Sequence, residues 1–335
     1  MRSRNLVYPS AHQPVLKALI PIDMLGYILN RLFIAVPVLI AVMVVTFTLG
    51  YYAPGDPISL IYNEQIAFMT PQQVENLRHQ LGLDRSYPEQ ALDFVSKIVR
   101  GDLGTSIASR QPVLTMIANG LPVTMQLGLA ATLLLIFGGI PLGILAAIRH
   151  NSWVDYLVVG SVLSLRTVPI FVLGPIVMII FVLNLGWLDV PLGWDGIFDS
   201  KVIMPIMLLA AAPMADVVRQ TRASVLEVLS QVYIRTAHAK GLKMHMIVTR
   251  HIMRNALIPV VTSLGLIVNG LIHGSVFLER LFSLSGFGGM VVQGIQLRDF
   301  PVIMGTTIFS ALLVIGANLL TDVIYPFIDP RVRIE

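Results

Sequence analysis

"LFIAVPVLIAVMVVTFTLGYY", residues 32–52, holds no charged side chain, and the charge-free interval around it runs from 32 to 55. A helix needs about 20 mostly apolar residues to cross the hydrocarbon core of a bilayer. This stretch is long enough. It also exceeds the core of a signal peptide and is followed by no small-x-small cleavage site, so it reads as an uncleaved anchor. The composition agrees: of 335 residues, 55% are hydrophobic and 13% charged, with a mean hydropathy of +0.78. One soluble core of ordinary size would not need so much apolar surface. The absence of cysteine excludes disulfides, thiolate metal sites and cysteine nucleophiles.

Working outward, a second span is predicted from Met125 to Ile148 inside the charge-free interval 111–148. Residues 154–184 exceed one straight span and contain Arg166, Pro169 and Pro175, which predicts a kinked or broken helix. Residues 202–222, 257–278 and 302–325 complete six spans. The expected fold class is an all-α polytopic membrane protein with six transmembrane helices.

Orientation follows from lysine and arginine, which are retained on the cytoplasmic side of short loops. Arg2, Arg4, Lys17, Arg31, Arg149, Arg219, Arg222, Arg235, Lys240, Lys243, Arg250, Arg254, Arg331 and Arg333 fall in one set of segments, whereas the short opposing segments hold Lys201, Arg280 and Arg298. Both termini are therefore expected in the cytoplasm. The net charge of +4 reflects this topology and not nucleic-acid binding. The expected organisation is a cytoplasmic segment 1–27, a first span 28–50, an extracytoplasmic region 51–121, a five-helix core 122–328 with a cytoplasmic loop 227–256, and a tail 329–335. In the outer region a helix should start at "TPQQVENL", with Thr70 as N-cap and Pro71 at the first helical position.

The cytoplasmic loop carries "YIRTAHAKGL", residues 233–242, and no acid follows it until Glu279. Ser230 can cap a short helix, Gly241 can end it in a left-handed turn, and a second helix should run from Lys243 to Asn255, stopped before Pro259. The bases alone would serve topology. A helix of small residues with a glycine turn, however, suits close docking on another protein.

"YIRTAHAKGL" followed by "RHIMRNALIPVVT" resembles the cytoplasmic coupling loop of ABC-importer inner-membrane permeases, in the B-type form of the dipeptide, oligopeptide and nickel branch. "YILNRLFIAVPVLIAVMVVTF" with "APGDP", "LGLD" with "RGDLGTS", "GIPLGILAAI", "ERLFSLSGFGGMVVQGIQLRDFPVIMG" and the terminal "DPRVR" are similar to its other segments, so the resemblance covers the chain from about Gly26. The departures are Gln231 and Val232 where many relatives have an acidic pair, Arg235 where the wider pattern opens with glutamate, His238 where arginine is usual, and a Pro259 farther from the glycine.

The resemblance implies a type I importer permease (MetI-like) fold, placed in a bacterial inner membrane as a multi-pass protein. It also implies partners: a second, homologous permease subunit, two ABC ATPase subunits and an extracytoplasmic solute-binding protein delivering peptides or related small solutes. Tyr233, Arg235, Thr236, Ala237, His238, Lys240 and Gly241 would form the ATPase-coupling element. The residues agree in one respect: no G-x-x-x-x-G-K-[ST] is present, so ATP and magnesium belong to the partner ATPases and no cofactor is expected on this chain.

Arg166, Asp216, Asn269, His273 and Asn318 lie in or near apolar spans, where ionisable and polar groups usually face a cavity or partner. They are candidates for lining the pathway. Asp216 and Arg219 are spaced to pair on one helix face. Gly139 with Gly143, and Gly270 with Gly274, are small-xxx-small pairs that permit close helix packing. No histidine spacing suits a metal. Two other classes are open to the residues alone: a self-sufficient secondary transporter, which calls for inverted repeats, and a membrane-embedded hydrolase using Ser285 and His273.

Overall fold

The computed structural model describes residues 24–328, apart from 55, 57 and 60–62. The N-terminal bases Arg2, Arg4 and Lys17, and the tail with Arg331, Arg333 and "DPRVR", lie outside the described residues. The chain begins with α1 (Met24–Tyr51). Two short outer helices follow, α2 (Pro71–Gln80) and α3 (Tyr87–Val99), each opened by a capping box. In the first, Gln73 N donates to Thr70 Oγ1 at 3.3 Å while Thr70 N donates to Gln73 Oε1 at 2.7 Å, with Pro71 at the start as expected. α3 is held to α1 by rings: Phe47 lies 5.3 Å from Phe94 and 5.5 Å from Tyr87.

α4 (Val113–Ile148) starts earlier than the expected Met125, so part of the region assigned to the outer loop is the outer end of this helix. Its path widens in a π turn at Leu135–Gly139, just ahead of Pro141, whose ring cannot supply a helical donor. The third apolar segment is broken. α5 (Trp153–Thr167) and α6 (Ile170–Asn184) meet at an angle of 109°, because Pro169 forces Val168 into extended backbone with ψ 121°.

α7 (Ile203–Leu229) is the central helix. Gly139 and Gly143 pack against it as expected. A Cβ on Gly143 would stand 2.6 Å from Thr221 Cβ, and one on Gly139 would stand 3.0 Å from Val217. A Cβ on Gly270 would meet nothing within 4 Å, and the surroundings of Gly274 fall outside the described residues.

Beyond the short helices α8 (Val232–Ala239) and α9 (Met244–Ile247), the chain passes through a π turn at Val248–Ile252 into α10 (Met253–Leu281). The expected stop before Pro259 does not occur. Pro259 sits inside α10, where a spanning helix keeps its backbone bonds internal and absorbs one missing donor. α11 (Phe287–Gln296) and α12 (Phe300–Ile328) complete the described chain. Among the described residues, five helices are long and apolar enough to cross a membrane, and six spans result when α5 and α6 count as one. Leu127, Leu208, Leu209, Val260 and Phe282 form the heart of the buried core, with α7 between α4 and α10.

Candidate functional site

A helical knob is built where α7 ends. Ser230 Oγ donates back to Glu227 O at 2.7 Å, so Ser230 closes α7 and does not cap the next helix as expected. Gln231, extended at φ −71° and ψ 146°, occupies the N-cap position without a side-chain bond. The far end of α8 is a complete Schellman turn: Gly241 N donates to His238 O at 2.9 Å, and Leu242 N donates to Ala237 O at 3.3 Å. Gly241 has φ +77°, the left-handed conformation its sequence position anticipated.

α8 has two faces. Ile234 and Ala237, three residues apart, are buried against Val225 of α7, Ala147 of α4, Ile247 of α9 and Ala256 of α10. Tyr233, Arg235, Thr236, His238 and Lys240 remain exposed, and so does Gly241. Ala237 is thus part of the attachment of the knob to its own chain and not of its outward face. A second tie fixes the same element, since Asn255 Nδ2 donates to Tyr233 Oη at 3.0 Å. α8 is thereby packed against the ends of three spanning helices, α4, α7 and α10. Beneath it lies a cleft of about 470 Å³ lined by Ser224, Glu227, Gln231, Tyr233, Asn255 and Ile258.

The outward face is basic. Between Glu227 and Glu279 the sequence holds no carboxylate. Among the described residues, Arg235, Lys240, Lys243, Arg250 and Arg254 form no ion pair within the chain.

The polar residues of the spans separate into groups. Asp216 pairs with Arg219 at 3.2 Å, as their spacing anticipated, and Arg166 at the end of α5 reaches the same carboxylate oxygen. Asn318 lines a groove with Arg31 between α12 and α1, on different helices from that cluster. The side chains of Asn269 and His273 fall outside the described residues. Ser285 is exposed, and the side chain of His273, its suggested base, falls outside the described residues.

Three buried carboxylates were not singled out from the sequence. Asp155 is 2% exposed and accepts from Arg222 Nε at 2.7 Å and from Asn151 N at 3.0 Å, tying the start of α5 to α7. Glu279, fully buried, accepts from Thr124 Oγ1 at 2.7 Å, Ser275 Oγ at 2.8 Å and Gly289 N at 2.8 Å. Gly286 passes so close that a Cβ there would overlap the carboxylate. Asp299 accepts from Ser106 Oγ at 2.6 Å and from the Ile107 and Ala108 amides at 3.2 and 3.1 Å, clamping the outer segment onto the start of α12. "ERLFSLSGFGGM" is therefore a packing device: its glycines let the turn into α11 press against α4 and α10.

A bundle of apolar spans with one helical knob projecting at the end of its central helix defines a membrane transport component. The chain belongs to the family of binding-protein-dependent transport system inner membrane components, whose model matches residues 139–334, with the corresponding N-terminal model matching 24–128. It is 36% identical to the dipeptide transport system permease protein DppB of Haemophilus influenzae, covering 92% of this chain and 100% of that protein. It is 37% identical to the oligopeptide transport system permease protein AppB of Bacillus subtilis, covering 92% and 100%. In fold it is similar to a chain of the inward-facing MetNI methionine ABC transporter, with a TM-score of 0.54, 17% identity, and coverage of 64% of this chain and 96% of that one. The type I importer permease fold and the role of an ABC-importer permease subunit follow.

Proposed function

We propose that this permease subunit forms half of a translocation pathway for peptides or related small solutes, handed over by an extracytoplasmic binding protein. A second, homologous permease would supply the other half, and two ABC ATPases, holding ATP and magnesium, would supply the energy. The observation that carries the reading is the attachment of α8: one face packed into the ends of α4, α7 and α10, the other basic and exposed. Closure of the ATPase pair on ATP would pull α8 as a lever and shift the spans between inward- and outward-facing states, because ATP binds one state of that pair better. The names of the similar permeases favour peptides as the solute class.

In this reading the termini and the knob lie in the cytoplasm of a bacterial inner membrane, and residues 51–112 lie outside. Reconstitution of the chain with its partner permease, ATPases and binding protein in vesicles tests the proposal. ATP-dependent peptide uptake that disappears when this subunit is omitted is the expected result, and uptake without any ATPase would overturn it.

A further inference from the structure

The exposed face of α7 carries charge where a lipid-facing helix would carry leucine. Ala212, Asp216, Arg219, Ala223 and Glu227 recur at spacings of four, three, four and four, which places them on one stripe, while Ala215, Val217, Val218 and Val225 are buried. Small and ionisable residues make up that stripe. Ionisable groups within spans face a cavity or a partner and not hydrocarbon. Arg166 joins the stripe from the last turn of α5, immediately before the 109° break. Arg219 and Arg166 share the single carboxylate of Asp216, so the cluster keeps one uncompensated positive charge, and the Arg219 side chain is 62% exposed. Glu227, at the mouth of the cytoplasmic cleft, lies eight residues farther on, roughly 12 Å along the helix.

Resting on the permease reading, we propose that Arg166, Asp216 and Arg219 form a relay site for the carboxylate of the passing solute in the cytoplasmic half of the pathway. The guanidinium fork matches a carboxylate bidentately. Asp216 is the positioning residue: it aligns both guanidiniums and competes with the arriving anion. That competition keeps the hold weak, as a conduit requires for release.

The test uses the assembled importer. The parent chain has no cysteine, so Ala223→Cys is its single thiol. Rates of modification by a methanethiosulfonate carrying a sulfonate and by one carrying an ammonium are compared, each normalised to a free thiol in solution. The expected result is reaction from water with a preference for the anion of about tenfold. The preference should vanish with Arg219→Gln and persist with Arg219→Lys, which separates charge from folding. Absence of reaction with either reagent would mean that lipid or the partner permease covers the stripe, and would overturn the proposal. Reaction with no preference for the anion would overturn it equally. ATP-driven uptake by the complex carrying the unsubstituted chain is measured alongside, and its absence would count against the permease reading instead.

Discussion

The carboxylate of Glu279 accepts a hydrogen bond from Thr124 Oγ1 at 2.7 Å, and that same hydroxyl oxygen accepts from Phe287 N at 2.9 Å. One buried acid thereby joins α4, α10 and the turn into α11. Glu279→Ala strands these donors away from water and should lower the stability of the purified complex by about 2–3 kcal/mol. Glu279→Gln, which keeps an acceptor, should be milder. Thermal unfolding followed by loss of monodisperse complex checks the order. Equal melting of Glu279→Ala and the parent would contradict the assignment.

Asp299 should act similarly on the outer segment. Asp299→Ala releases the Ser106 hydroxyl and two amides, so residues 104–110 should become accessible to protease added outside. Ser106→Ala removes one of these bonds and should have a smaller effect, about 1 kcal/mol.

How far the sequence disclosed all this depended on the range of each interaction. The spans are legible because membrane crossing is a local matter of length and apolarity, and the α5–α6 break because Pro169 acts on its own neighbour. The left-handed turn at Gly241 is local too. Glu279 and Asp299 are not legible, since the partners that tie them to other parts of the chain, Thr124 and Ser106, lie 155 and 193 residues away. The two sequence expectations that failed locally have specific causes. Ser230 found an acceptor one turn back in α7 and so ended that helix. Pro259 was absorbed by a helix that packing and lipid oblige to continue. Ala237 looked like a docking residue because it is small, but smallness served its own core, where Ile247 and Ala256 press against it.

The outer helices offer a pH dependence with a defined sign. Hydrogen bonds from the Ser86 hydroxyl and then from its amide hold the Glu89 carboxyl below its ordinary value of 4.5. A lowered folded value means that the cap's contribution is complete above the ordinary value and is lost as pH falls through the folded one. Amide exchange at the start of α3 should therefore accelerate, relative to the intrinsic rate, as pH drops below about 4.5. Ser86→Ala should flatten that profile.

Orientation is open to direct labelling, because the chain contributes no cysteine of its own. Single cysteines at Ser86 and Trp194 should react with an impermeant maleimide on intact cells. Those at Asn151 and Lys243 should react only after permeabilisation. Labelling at Lys243 from outside would reverse the topology.

Crosslinking from α8 to the ATPase probes the lever itself. Cysteines replacing Thr236 or His238 lie on the exposed face of α8, whereas one replacing Ile234 is buried against the chain's own core. In a transporting complex, the first two should crosslink to cysteines in the ATPase docking cleft at rates that change when ATP binds, and the third should not. A complex that imports its solute while neither Thr236→Cys nor His238→Cys reaches the ATPase in any nucleotide state would contradict the coupling role of this helix.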